Sequence, residues 1–489
     1  MHKQDERESS LSTFVLKFFL RGSLADGLAC AGGDVQAGHL KRNFGGIMDY
    51  RAATASQLGQ AIETGKADPL DIAEVFLDAI ASEDPDFQIY ARTTPERARE
   101  QAMAASQRAR SGMRRSPLDG VPVSWKDLFD IAGTECCSGT QILAGRVPKA
   151  DCKVAVNAEA AGLVFLGKTH QTEFAFSGLG VNPKTATPPN KAMPGNAPGG
   201  SSSGAAASLT HRLAPLAIGS DTGGSVRIPA AWNNLAGLKT THGALSNEGV
   251  VPLCPGFDTV GPLAHTVEDA ALAFAALGGG EMPARDRVDR GTLKIAIPQT
   301  LVMEGCDAAI AASFDAAVEA LENAGARISR IEVPEFEEVL ALGPSLFPYE
   351  AWQAWGTTIE RHGDLMFAPV RARFEQGKSV SRETYETAWR QMLQARNRYA
   401  DRVSGHDFLI WPSVAILPPS IESLLSDADH FTASNLMALR NTRFVNMLGG
   451  AALTIPLPQT ASGLQLAGIA GSDHDLLRFA MAMEGALSA

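Results

Sequence analysis

Two serine- and glycine-rich clusters lie between Pro198 and Pro229: Gly199-Gly200-Ser201-Ser202-Ser203-Gly204 and Asp221-Thr222-Gly223-Gly224-Ser225, joined by a mostly apolar run. Glycine lets a backbone approach a substrate closely and take up positive φ. Serine supplies hydroxyls that serve as nucleophile or proton shuttle. Two such clusters so near each other suggest a catalytic floor. A pair of turn-rich loops is the plainer reading of the same composition.

A serine nucleophile needs a base. The 10 histidines are scattered and none forms an H-E-x-x-H pattern, so neither a histidine base nor a metal site stands out. Lysine does this work when it is held neutral, and Ser–Lys pairs are a convergent variant of triad chemistry. Lys126 is the candidate. The Asp119-Gly120 turn leads into a short strand-like stretch in which Val121, Val123 and Trp125 surround the lysine. Burial there would push its pKa down from about 10.4; a solvated lysine at a strand end is the ordinary alternative. Lys126, Ser201 and Ser225 are separated by 75 and then 24 residues.

Two pattern matches fail on context. Gly162 to Thr169 fits the phosphate-loop formula, but its inner residues, Leu163, Val164, Phe165 and Leu166, belong in a buried strand rather than around a phosphate. Gly200-Ser201-Ser202-Ser203-Gly204 fits the G-x-S-x-G elbow of α/β-hydrolases, which needs an apolar strand directly before it. The segment Thr187 to Pro198 holds four prolines, which no central strand tolerates. An esterase using Ser202 with a downstream histidine is kept as a subordinate alternative.

The elements that must carry these residues alternate. Apolar periodicity predicts helices from Ala52 to about Arg110, with Asp68-Pro69-Leu70 as one start and Glu96–Arg110 as a second, solvated helix. Ala155–Gly162 reads as a helix and Val164–Gly167 as a buried strand. Thr266–Leu277, Ala308–Ala324, Ser381–Arg402 and Asp475–Leu487 read as helices. Leu293–Pro298, His406–Trp411, Asn446–Pro456 and Gly463–Gly468 read as strands. The run Val333–Val380 has no clear period but concentrates Phe336, Phe347, Tyr349, Trp352, Trp355 and Phe367. Such interleaving predicts a layered α/β fold around a mixed sheet.

Composition narrows the function classes. The 489 residues, 45% hydrophobic and 20% charged, suit a soluble globular protein with a large core. A formal net charge of −11 argues against a nucleic-acid groove. The cysteines Cys30, Cys136, Cys137, Cys152, Cys254 and Cys306 form no C-x-x-C pair, which reads as reduced and intracellular. No apolar run approaches the ~20 residues that span a bilayer. Phe14 to Leu20 is broken by Lys17 and preceded by acidic residues, unlike a signal peptide. The expectations are a disordered extension over residues 1–47, one domain over residues 48–489, and a cytoplasmic location.

With these residues in place, the chain resembles the amidase signature family. That family's hallmark is a Gly-Gly-Ser-Ser-Gly cluster followed by Asp-Thr-Gly-Gly-Ser-(Ile/Val)-Arg-x-Pro. The similarity runs from about Ala52 to the C-terminus and includes Gly120-Val-Pro-Val-Ser-Trp-Lys126-Asp127, Lys168-Thr169-His-Gln-Thr-Glu173-Phe174-Ala175, Asp258-Thr-Val-Gly261-Pro262, Asp407-Phe-Leu-Ile-Trp-Pro412-Ser413 and Gly463-Leu-Gln-Leu-Ala-Gly468. It implies a large mixed β-sheet covered by helices on both faces. It also implies a Ser–cis-Ser–Lys triad: Ser225 as nucleophile, Ser201 as the bridging serine after a cis peptide bond, Lys126 as base. The backbone N–H groups of Thr222, Gly223, Gly224 and Ser225 would hold the oxyanion, with Ser202 a neighbour that hydrogen-bonds the network or the substrate. No cofactor and no metal is implied; the partner is a small amide, and a homodimer is allowed. Asp221 and Arg227 are expected to pair and fix the loop, Asp127 to cap a turn, and the Phe347–Trp355 aromatics to serve as core or as the acyl-side wall.

Ser203 and Ala205 depart from the usual signature, as does Gly449-Gly450-Ala451-Ala452, which lacks its expected proline. The implied activity is hydrolysis of a carboxylic amide through an acyl-enzyme. The first rival is the ammonia-supplying glutaminase component of a tRNA-dependent amidotransferase, in which glutamine usually stands where this chain has Ile228. A non-catalytic scaffold is the second.

Overall fold

The strand-forming segments are short, apolar and buried, and they assemble into one sheet. The computed structural model describes residues 48–283, 293–457 and 460–487; the extension expected over residues 1–47 lies outside them. In chain order the strands are β1 (Tyr90–Thr93), β2 (Pro122–Lys126), β3 (Val164–Thr169), β4 (Leu216–Ser220), β5 (Ala236–Lys239), β6 (Val260–Ala264), β7 (Lys294–Pro298), β8 (Arg327–Ile331), β9 (Phe408–Pro412), β10 (Ala452–Pro456) and β11 (Gly463–Ala467). Their spatial order is β1-β3-β2-β4-β6-β5-β10-β11-β9-β7-β8. β2 runs parallel to β3 and β4, and β7 parallel to β8 and β9, while the central pairs from β4 to β9 are antiparallel.

Successive strand residues point to opposite faces. Every residue of β2, β3, β4, β5, β6, β9 and β11 is buried, so both faces of the sheet are covered. Only a sheet sandwiched between helices buries strands this way. The Gly162–Thr169 segment is accordingly a buried strand and not a phosphate loop.

Helix starts follow their caps. Asp68 accepts from Leu70 N at 3.0 Å ahead of the helix Pro69–Glu83, and the Ser381 side chain caps Arg382–Val403. Such caps contribute about 1 kcal/mol each.

Three segments differ from the sequence expectation. The span from Ala52 to Arg110, read as helical, also contains the strand Tyr90–Thr93, which pairs with β3 at the sheet edge. Asn446–Pro456 is not a strand throughout: the helix Ala428–Leu448 runs to Leu448, Gly449 ends it at φ 78°, and only Ala452–Pro456 enters the sheet. The apolar residues Phe444, Val445, Met447 and Leu448 look strand-like, but they are buried faces of that helix. The aperiodic run after Val333 contains the 28-residue helix Glu335–His362, which holds Pro344 and Pro348. Proline weakens a helix interior. Here burial of Phe336, Val339, Leu346, Phe347 and Ala351, and packing along Arg382–Val403, outweighs the lost propensity.

Candidate active site

The site lies at the carboxyl ends of two neighbouring parallel strands, where open α/β sheets usually present their ligands. Lys126 is the last residue of β2 and Ser220 the last of β4, and the register Trp125↔Ile218 sets them side by side. Lys126 Nζ is 2.6 Å from Ser201 Oγ and 2.9 Å from Ser220 Oγ. The lysine is fully buried. Burial pushes it down to about 7, against the upward pull of Asp221 and Asp258. Near neutral pH a large fraction of it is therefore an uncharged amine, able to accept a proton.

Ser201 follows Gly200 through a cis peptide bond and stands just before the short helix Ser203–Thr210. Ser208 on that helix hydrogen-bonds Ser124 of β2 at 3.0 Å, which ties the serine cluster to the strand bearing Lys126. Gly200 is required by space, since a Cβ there would lie 2.5 Å from Gly180 N.

Ser225 ends the second cluster, ahead of the helix Arg227–Trp232. Ser202 N donates to Ser225 O at 3.2 Å, so the two clusters touch. No hydrogen bond joins the hydroxyls of Ser201 and Ser225 among the described residues. The Ser225 loop is held from beneath by Asp221 and Arg227, both wholly buried and paired at 2.9 Å. Burial opposes ionisation of Asp221, but the Arg227 guanidinium holds its carboxyl well below the usual range. Asn446 Nδ2 donates to Asp221 at 2.8 Å, and Arg227 donates to Thr442 O and to the side chains of Gln465 and Asn446. A buried pair satisfied at every edge is costly to break, about 3–5 kcal/mol when one partner is removed.

The oxyanion expectation needs one correction. Gly224 N donates to Asp221 Oδ1 at 2.8 Å, so that amide is already committed. The amides of Thr222, Gly223 and Ser225 have no acceptor among the described residues. Gly224 is needed for its backbone: φ is +136°, and a Cβ would meet Thr442 Oγ1 at 2.1 Å. The Ser202 hydroxyl makes no hydrogen bond to Lys126, Ser201 or Ser225 among the described residues. It faces the Ser220 backbone, 3.3 Å from the carbonyl oxygen, and lies under Gly219. Asp127 does more than cap a turn: it pairs with Lys168 and Arg92, both at 3.0 Å, behind Lys126.

A cavity opens onto Ser225, Thr222 and Gly223. Phe347 forms part of its wall. Trp355 instead packs against Phe174 and donates to Pro252 O, so the expected aromatic group divides between pocket and packing. Arg373 and Arg443 also line the cavity. Sequence reasoning did not single out Ser220, Thr442, Asn446 or these two arginines. Ser220 could have been found from its place beside Asp221; the others have no local signal.

A family model described as Amidase matches residues 71–477. The chain is 35% identical over 418 residues to the 2-amino-5-chloromuconic acid deaminase of Comamonas testosteroni, a match covering 82% of this chain and 89% of the relative. It is 30% identical to one component of the Glutamyl-tRNA(Gln) amidotransferase of Chloroflexus aggregans, over 87% of this chain and 94% of that one. A crystal structure of an amidase superposes with a TM-score of 0.81 at 26% identity, covering 89% of this chain and all of the other. No helix among the described residues is long and apolar enough to cross a membrane. The chain belongs to the amidase signature family and is an enzyme that hydrolyses amide C–N bonds.

Proposed function

We propose that the chain cleaves a small carboxylic amide through an acyl-enzyme on Ser225, with Ser201 as proton relay and Lys126 as base. The observation that carries this reading is the fully buried Lys126 amine, 2.6 Å from the Ser201 hydroxyl with a pKa near 7. Neutral Lys126 takes the Ser201 proton while Ser201 takes that of Ser225. The freed Ser225 oxygen then forms a bond to the amide carbon. The negative charge moves to the carbonyl oxygen, where the amides of Thr222, Gly223 and Ser225 receive it; loss of one such donor typically raises the barrier by about 3 kcal/mol. The proton returns through Ser201 to the leaving nitrogen, the C–N bond breaks, and ammonia or an amine departs. Water then adds to the ester carbon and returns the Ser225 hydroxyl. Closure of Ser225 onto Ser201 accompanies substrate binding, as catalytic hydrogen bonds often tighten only in the complex.

The free cysteines Cys136, Cys137, Cys152, Cys254 and Cys306 fit a reducing cytoplasm. Ammonia release across a panel of small amides tests the reading. Turnover that disappears in Ser225→Ala is expected; turnover that survives it would sink the proposal. A second reading rests on the amidotransferase relatives: ammonia supply within a tRNA-charging complex. It predicts partner proteins that co-purify with the chain, whereas a standalone hydrolase purifies alone and active.

A further inference from the structure

The most conspicuous unpaired charge among the described residues sits in the catalytic cavity. Arg373, on the helix Ala368–Glu375, and Arg443, on Ala428–Leu448, line the same cavity as Ser225, Thr222 and Gly223. Neither pairs with a carboxylate among the described residues. Arg373 Nη1 donates to Phe176 O at 2.6 Å, and its guanidinium lies 4.2 Å from the centre of the Phe176 ring. Arg443 lies 5.2 Å from the Phe347 ring centre, and its Nε is buried without an acceptor. A methyl group at Gly223 would come within 3.8 Å of that Nε, so Arg443 stands against the loop that carries the nucleophile.

The two cations oppose each other. Burial, and then Arg443, push Arg373 down to about 9, and burial brings Arg443 to about 10. Both still carry their charge at neutral pH. The acidic group that pulls on both is the Cys254 thiol, which burial keeps protonated and which therefore offers no counter-charge. Desolvated, unpaired charge is expensive. Elsewhere in this protein a buried arginine is fully paired, as Arg227 is with Asp221. Two fixed guanidinium planes held on aromatic faces, with free donors in the cavity, are the geometry that grips a carboxylate.

We infer that the acyl part of the substrate carries a carboxylate held by Arg373 and Arg443, so that the substrate class is the half-amide of a small dicarboxylic acid. This rests on the amide-hydrolase reading above. Hydrolysis of such a substrate takes up one water and yields a dicarboxylate and ammonia. The apolar wall of Leu253, Phe347 and Leu439 suits the methylenes between the two ends. The lining contains no Asp or Glu. An α-ammonium, as in glutamine, would sit beside two cations with no anion to receive it. The same charges thus separate this pocket from a glutamine site.

The test uses the full chain and ammonia release from succinamate and its neutral diamide succinamide, then from glutaramate and glutamine, which differ only in the α-amino group. Each half-amide is expected to exceed its comparator in kcat/KM by about 100-fold, the scale of one or two charge-assisted hydrogen bonds. In Arg443→Gln the succinamate-to-succinamide ratio should collapse by at least about 30-fold, mainly through KM, on the same scale. Succinamide or glutamine turned over as well as its partner would overturn the inference while leaving the hydrolase reading intact. A second measurement needs neither turnover nor a variant. Succinate, but not succinamide, should protect Ser225 from a fluorophosphonate; equal protection, or none from succinate, would overturn the inference. Failure of the probe to label Ser225 at all would count against the hydrolase reading itself.

Discussion

Two buried lysines end neighbouring regions of the sheet, Lys126 on β2 and Lys239 on β5, and both are pushed by burial to about 7. Their surroundings differ. Lys126 meets two hydroxyls, Ser201 Oγ and Ser220 Oγ. Lys239 meets two carbonyls, donating to Thr240 O at 2.7 Å and Gly450 O at 2.8 Å. A carbonyl has no proton to give. A lowered pKa therefore makes a lysine available as a base without making it one; an adjacent O–H that leads to a nucleophile decides the matter. Lys239 ties β5 to the turn before β10, and Lys126 reaches the first serine cluster.

The sharpest way to break this comparison is to replace each lysine. Lys126→Met should reduce kcat/KM by about 1000-fold with the fold retained, within the range for loss of a general base. Lys239→Met should lower the melting temperature, since two buried carbonyls are left unpaired at about 1–3 kcal/mol each, yet leave turnover per folded molecule within about threefold. Equal activity losses in the two would show that burial alone, and not the serine contact, matters.

A smaller effect is expected from Ser220→Ala, which removes one of the two Lys126 partners. Activity should fall about tenfold, on the scale of one hydrogen bond to a group that becomes charged. The pH at half-maximal activity should move down, because an acceptor that favours the protonated amine has gone. The smallest effect belongs to Ser202→Ala. Among the described residues its hydroxyl hydrogen-bonds the Ser220 backbone alone, so a stability loss near 1 kcal/mol and activity within about threefold are expected. A large loss of turnover in this variant would return Ser202 to the reacting centre and revive the elbow reading.

What could be read from the sequence follows physical lines. Lys126, Ser201 and Ser225 were singled out by the resemblance to the amidase signature motifs; by themselves, glycine-flanked serines fit turn-rich loops equally well, and a lysine at a strand end is ordinarily solvated. The mixed sheet was legible because buried strands are short apolar runs between helices. The Gly224 amide could not be assigned from the chain, since the Asp221 side chain that takes its N–H competes with any oxyanion and only geometry reveals it. Arg373 and Arg443 were hidden for another reason. Each sits on a helix among ordinary polar neighbours, and charge on a helix is usually solvated; only the absence of a partner inside a cavity distinguishes them. The helix Glu335–His362 was obscured by Pro344 and Pro348, whose local cost is offset by tertiary burial that no local pattern displays.

The central claim is that neutral Lys126, acting through Ser201, activates Ser225. Its most direct test is the rate at which a fluorophosphonate modifies Ser225 as a function of pH, with the site located by peptide mass spectrometry. Lys126 is protonated, and so unable to accept a proton, below its pKa near 7, and free above it. The rate should therefore rise with pH, reach half its plateau near pH 7, and lose that limb in Lys126→Met. An unchanged limb in the variant, or modification of Ser202 in place of Ser225, would contradict the account.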